Sequence, residues 1–113
     1  MTVAIPNFQG EVAPCFEVAS MFMLIEILDG EVVSSKIVES KGCEGFGRVQ
    51  LLRDKHADIV ICNGIKAFYR DLLKAAGIAV CANVTQSVDK ALEAYLAGLI
   101  LPSDAGPEER DTS

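Results

Sequence analysis

The chain has no tryptophan and a single histidine, and its cations are in deficit: ten lysines and arginines against sixteen aspartates and glutamates, a net charge of −6. Each absence removes a class of function. An acidic chain repels nucleic-acid phosphates instead of neutralising them, so no nucleic-acid partner is expected. No apolar run is long enough to cross a bilayer, and Met1-Thr2-Val3 opens a strand with no basic leader. No membrane partner is expected, and the expected compartment is the cytoplasm. Thiols stay reduced there, so the four cysteines point to packing, metal or redox use before disulfides. His56 falls at the end of an expected helix, far from the other candidate residues, so a Ser/His or Cys/His pair lacks its base. The first strand, Val3-Ala4-Ile5-Pro6-Asn7, has no carboxylate, and a two-metal phosphoryl mechanism lacks its central ligand. Nothing in the chain reads as an enzyme.

What is present centres on Gly10-Glu11-Val12-Ala13-Pro14-Cys15-Phe16-Glu17. Proline fixes its own φ and biases Ala13 towards extended geometry, so Cys15 is held in place. A half-buried small hydrophobe is the alternative reading of that thiol. Glu11 and Glu17 read most simply as a solvated loop face.

At 113 residues the chain can build one core without metal or disulfide staples. Residues 1–101 form the expected domain, and 102–113 a polar acidic tail. Val3–Pro6 reads as a buried strand, and Met21–Leu28 as a strand covered on both faces. Asp29-Gly30 is a two-residue hairpin turn into an edge strand, Glu31–Val38, with serines and a lysine. A helix from Gly47 to about His56 buries Val49, Leu51 and Leu52. Asp58–Cys62 is the next strand. The helix Lys66–Ala76 turns Phe68, Leu72 and Leu73 inward and stops at Gly77. Ile78–Cys81 is the last strand. Ser87 caps a final helix to Gly98, with Val88, Ala91, Leu92, Tyr95, Leu96 and Leu99 as its stripe.

The order βββαβαβα, with right-handed crossovers, predicts a three-layer α/β/α domain. Its five-stranded mixed sheet has order 3-2-1-4-5, with the second strand alone antiparallel. Ligands in such sheets bind beyond the carboxyl ends of the strands, where the order reverses, here between the first and fourth strands.

That topology sends Cys15, Cys43, Cys62 and Cys81 towards one rim as candidate metal ligands. Neighbouring strands lie about 4.8 Å apart, which sets Cys15 beside Cys62 but Cys43 and Cys81 about 19 Å from each other. A cluster several ångströms wide is easier for them to share than one zinc ion. Packing competes as an explanation for Cys62 and Cys81, each of which ends a buried apolar run. Gly45-Phe46-Gly47 and Asn63-Gly64-Ile65 each open a helix and can offer free N–H groups to a cofactor's anionic part. Two strand-to-helix turns would need glycine anyway. Arg48 and Lys66 beside them either add charge complementarity or are solvated. Three functions follow: carriage of a metal–sulfur cluster, a thiol redox module with a Cys15–Cys62 disulfide, or a phosphate or nucleotide site on the glycine turns.

Val3-Ala4-Ile5-Pro6, Pro14-Cys15-Phe16 with Ala19, and Asn63-Gly64-Ile65 occur here in a recognisable order. Leu73-Lys74-Ala75-Ala76-Gly77-Ile78 and Ala91-Leu92-Glu93-Ala94-Tyr95-Leu96-Ala97-Gly98 follow them. In these the chain resembles the dinitrogenase iron–molybdenum cofactor biosynthesis family, including NifX and the C-terminal part of NifB, from Met1 to Leu101. The resemblance implies a ribonuclease H-like motif without nuclease activity. It also implies non-enzymatic binding, carriage or storage of an iron–sulfur, iron–molybdenum or molybdenum–copper cluster, as in related proteins of sulfate reducers. The implied partners are cluster donor or acceptor proteins. The family loop usually reads Pro-His-Phe-Gly, so Cys15 replaces histidine and Glu17 glycine, while Asn63 replaces the first of paired glycines. A thiolate at position 15 favours iron, copper or zinc in sulfur-rich surroundings.

Overall fold

The structure is a computed structural model that describes residues 1–40 and 45–102. Cys43 and the expected tail beyond residue 102 lie outside the described residues.

Among the described residues the sheet has six strands. Thr2–Phe8 (β1) lies at its centre, with Val3, Ala4 and Ile5 completely buried. Glu11–Val12 (β2) folds back on the end of β1. Met21–Leu28 (β3) runs antiparallel to β1, and Glu31–Glu39 (β4) antiparallel to β3. Asp29 (φ 54°) and Gly30 (φ 80°) turn between them in the left-handed region, the conformation a tight Asp-Gly hairpin requires. β4 is exposed along nearly its whole length, as its Ser34, Ser35 and Lys36 foretell for an edge. On the other side of β1, Ile59–Ile61 (β5) and then Ala79–Cys81 (β6) pair in parallel. The path β4-β3-β1-β5-β6 is the expected order, with β2 added beside β1.

Side chains alternate across this sheet, and the alternation builds two cores. Ala4, Phe22, Leu24, Val60 and Val80 face Gly45–Asp54 (α1) and Ala67–Ala75 (α2), which contribute Val49, Leu52 and Leu73. Val3, Ile5, Ile25, Ile59 and Ile61 face Val88–Leu96 (α3), which contributes Val88 and Ala91. The domain is α/β with three layers, as expected. Ser87 does cap α3, its Oγ accepting from the Lys90 N–H at 3.2 Å.

The helix interiors differ from expectation at their flanks. Phe68 is 63% exposed, with its ring edge-on to Tyr69. The inward stripe of α2 is Tyr69, Leu72, Leu73 and Ala76, and Phe68 falls to one side of it. Leu96 and Leu99 are also exposed. Leu96 stands at the flank of the α3 stripe, and the helix has ended before Leu99, at the turn made by Gly98 (φ 78°). α1 starts at Gly45, not Gly47, and ends at Asp54.

The three α-helices among the described residues end alike. Ala57, Ile78 and Leu99 donate their N–H groups to the carbonyls of Leu52, Leu73 and Ala94, five residues back. The residue before each donor is left-handed: Gly77 (φ 83°) after α2, Gly98 after α3, but His56 (φ 61°) after α1. A left-handed residue with a Cβ costs about 1–2 kcal/mol. His56→Gly is expected to raise the stability of the chain by about 1 kcal/mol, read as a higher midpoint in urea unfolding. A lower midpoint would mean that the imidazole ring is itself an anchor.

Candidate functional site

The carboxyl edge of β1 carries the candidate site, and backbone bonds make its frame. After Phe8 the chain turns through Gln9 (φ 54°) and Gly10 (φ 85°) into β2, with the Gly10 N–H donating to Asn7 Oδ1 at 3.0 Å. This second tight hairpin was not expected from sequence. A two-residue strand carries no periodicity, and Asn7 three positions before Gly10 was the only signal. The hairpin is tied to α3, because Val12 donates to the Gln86 carbonyl and Val88 to the Gly10 carbonyl.

From β2 the chain crosses to the end of β5. Gly64 donates its N–H to the Pro14 carbonyl at 2.9 Å, and Phe16 donates to the Gly64 carbonyl at 2.8 Å. Together these form a parallel bridge that sets Cys15 against Gly64. A Cβ added to Gly64 would lie 2.7 Å from the Pro14 oxygen and 3.7 Å from Cys15 Sγ. Glycine is required there by close approach, not by φ. Next, Phe16 is completely buried and packs against Phe22 with ring centroids 5.5 Å apart.

Two buried side chains fix the far end of the loop. The Ala19 carbonyl accepts Ser40 Oγ at 2.6 Å and Arg48 Nε at 2.7 Å. Arg48, read from sequence as either solvated or complementary in charge, is only 8% exposed and joins α1 to this loop. Nothing local in the sequence marks either residue for that contact. Glu17 also departs from the solvated reading, its Oε1 accepting the N–H of Lys66, the residue that caps the start of α2, at 3.3 Å. Lys66 enters the site through its backbone. The Gly64 N–H of the Asn63-Gly64 turn and the Lys66 N–H just beyond it are thus already bonded within the chain, which weakens the reading of that turn as a phosphate cradle. Gly47 falls inside the first turns of α1.

Beside this frame lies a cleft of about 290 Å³, lined by Phe8, Ala13, Pro14, Cys15, Val18 and Ala19 with Asn7 and Ser20. The lining is mostly apolar, and Phe8 and Val18 are exposed on its rim. Cys15 is half-buried and opens on it; the other two described thiols do not share that setting. Cys62 is completely buried in the layer under α1 and α2, and Cys81 is 1% exposed in the layer under α3. Cys81 is paired with Ile61, so alternation turns Cys62 to the opposite face. Burial, then the Cys81 and Glu17 charges, push the Cys62 thiol up to about 12 from an ordinary 9.0. Burial pushes Cys81 up to about 11. Both are protonated at neutral pH. Among the described residues no three His, Cys, Asp or Glu side chains are grouped to hold a metal ion.

Residues 1–98 match the sequence profile of the dinitrogenase iron–molybdenum cofactor family. The chain belongs to that family. An uncharacterized protein of Methanocaldococcus jannaschii is 27% identical over 103 residues, 87% of each chain. The apo form of the orange protein from Desulfovibrio gigas superposes with a TM-score of 0.78 at 23% identity, over 96% of each chain. A Thermotoga protein provisionally assigned as NifB superposes with a TM-score of 0.71 at 25% identity, over 96% of this chain and 97% of its own. The family's architecture is thus the one built above, and Cys15 stands in its β1–β3 connection.

Three expected outcomes test this geometry. Gly64→Ala drives a methyl group into the Pro14 carbonyl and should cost about 1–3 kcal/mol in urea unfolding. Amide exchange at Phe16 should accelerate with it, and an unchanged Phe16 amide would refute the bridge. Cys62 and Cys81 hold their protons more tightly folded than unfolded, so their contribution to stability is complete below pH 9. It is lost as pH rises from 9 towards about 11 for Cys81 and about 12 for Cys62. Thermal melts across that range should fall, and Cys62→Ala should flatten the fall. At neutral pH only Cys15 of these three should react quickly with a thiol reagent in the native state.

Proposed function

We infer that the protein binds a metal–sulfur cluster at the Cys15 cleft and carries or stores it for cluster donor and acceptor proteins. The observation that carries this reading is one accessible thiol on an apolar cleft, held by a backbone frame that its own side chain does not build. A mononuclear tetrahedral ion asks for three or four protein ligands, and the described residues group no such set. A cluster brings its own sulfides and fits a site that offers one soft ligand and apolar walls. Membership of the iron–molybdenum cofactor family supports the same class of cargo. Its metal content, iron–sulfur, iron–molybdenum or molybdenum–copper, belongs to this proposal.

We read the protein as a binder and not a catalyst. His56 stands after α1 at the amino edge of β5, opposite the edge that carries Cys15. No described helix is long and apolar enough to cross a membrane, and a cytoplasmic carrier is the setting we propose. Cys62 and Cys81 serve the two cores in this reading, as neutral packing thiols.

Anaerobic reconstitution with iron and sulfide tests the reading. Visible sulfur-to-metal absorption and metal per folded protein are measured on the wild type, Cys15→Ser and Cys15→His. Serine stays protonated at neutral pH and ligates soft metals poorly, so Cys15→Ser should weaken cluster retention by at least about tenfold with unchanged circular dichroism. Cys15→His should restore part of it, because imidazole also ligates iron. Full retention in Cys15→Ser would remove Cys15 from the site.

A further inference from the structure

Among the described residues the cleft offers its cargo one thiol. Cys62 and Cys81 are turned into the two cores, and no three His, Cys, Asp or Glu side chains are grouped to hold a metal ion. Iron–sulfur clusters are held by several thiolates at once, so one Cys15 leaves such a cargo short of protein ligands. A further ligand reaches the cargo through the cleft on which Cys15 opens, and the rim of that cleft is apolar. Phe8, the last residue of β1, is 57% exposed, and Val18, the last residue of the 3₁₀ turn Phe16–Val18, is 71% exposed. Pro14 in the same lining is exposed as well. The surface that brings both a soft ligand and matching apolar side chains is this same surface on a second copy. In a two-fold pairing each patch meets itself, so Cys15 faces Cys15 and the Phe8–Val18 rims meet. A rim this small falls well short of the roughly 1,200–2,000 Å² that a specific interface buries, and two chains of charge −6 repel. Cargo-free chains therefore stay apart, and bonds to a shared cargo supply what the contact lacks.

We propose that the cargo is held between two copies of this chain, one Cys15 from each, with the Phe8–Val18 rims closing over it. The proposal rests on the reading of Cys15 as the metal-facing ligand. On closure two Sγ–H bonds are replaced by two Sγ–metal bonds, two protons pass to solvent, and the thiols give up no electron. The cargo's own sulfides fill the remaining metal positions. Loss of the cargo separates the copies and uncovers both clefts, so loading and pairing are linked by mass action.

The test measures mass and metal on the same samples. The full chain is reconstituted anaerobically with iron and sulfide, and apo and loaded protein are compared by sedimentation velocity at several concentrations. Wild type, Cys15→Ser and Val18→Glu are run, with circular dichroism on each. Apo wild type is expected to sediment as one chain and the loaded protein as two, with the visible absorption moving with the pair. Stripping the metal with a chelator should return it to one chain. Val18→Glu sets two carboxylates against each other across the rim and should weaken the loaded pair at least about tenfold. Cys15→Ser should stay a single chain and lose the metal. A loaded wild type that remains a single chain, with its metal still lost in Cys15→Ser, overturns pairing and leaves the carrier reading standing. A second ligand from Cys43 of the same chain would give that result. Apo protein already paired at the same concentrations overturns pairing by the cargo, and a loaded pair indifferent to Val18→Glu overturns the rim as its contact. Metal binding that ignores Cys15→Ser overturns pairing and the carrier reading together.

Discussion

The structure around the rim depends on one short parallel bridge, in which Pro14 and Phe16 bond on either side of Gly64. It is the only point at which the connection from β1 to β3 is stitched directly to the end of β5 among the described residues. Two backbone hydrogen bonds are modest individually, each worth about 0.5–1.5 kcal/mol net. Their effect is larger because they fix where everything downstream falls. Phe16 enters the core under α1 and α2, Glu17 reaches the start of α2, and the Ala19 carbonyl arrives between Ser40 and Arg48. Without the bridge, none of these contacts has a fixed position to form from.

The fold also separates the three described thiols into different settings. Sheet alternation buries Cys62 on one face and Cys81 on the other, and burial keeps both protonated. Cys15, on a connection and not in a strand, escapes alternation and opens on the apolar cleft. Proximity to the rim is therefore a weak predictor of shared chemistry. Side-chain direction decides, and it changes with every residue along a strand.

The parts legible in the sequence are those governed by local physics. Asp29-Gly30 needed only the preference of its two residues for left-handed backbone, and Gly77 and Ser87 needed only the rules for helix ends. Strand order followed from element order and crossover handedness, which are also independent of side-chain detail. Phe68 and Leu96 were misread because a nine-residue helix leaves its stripe flanks undetermined until the neighbouring layer is known. β2 was too short to show a period. Glu17, Ser40 and Arg48 make contacts across 21 to 49 positions of sequence, and no window along the chain reports a bond of that span. The sequence singles out Cys15, which the fold opens on the cleft, but what holds it there is not visible in the sequence.

The bonds that hold Cys15 belong to the backbone of its neighbours, and the position opposite has no room for a Cβ unless the Pro14 carbonyl shifts. Geometry and chemistry are thus assigned to different residues. Position 64 penalises any side chain, while the bonds of the frame at position 15 use no atom of its side chain. In a frame of this kind a single codon at position 15 alters what the loop presents and leaves untouched where it is presented.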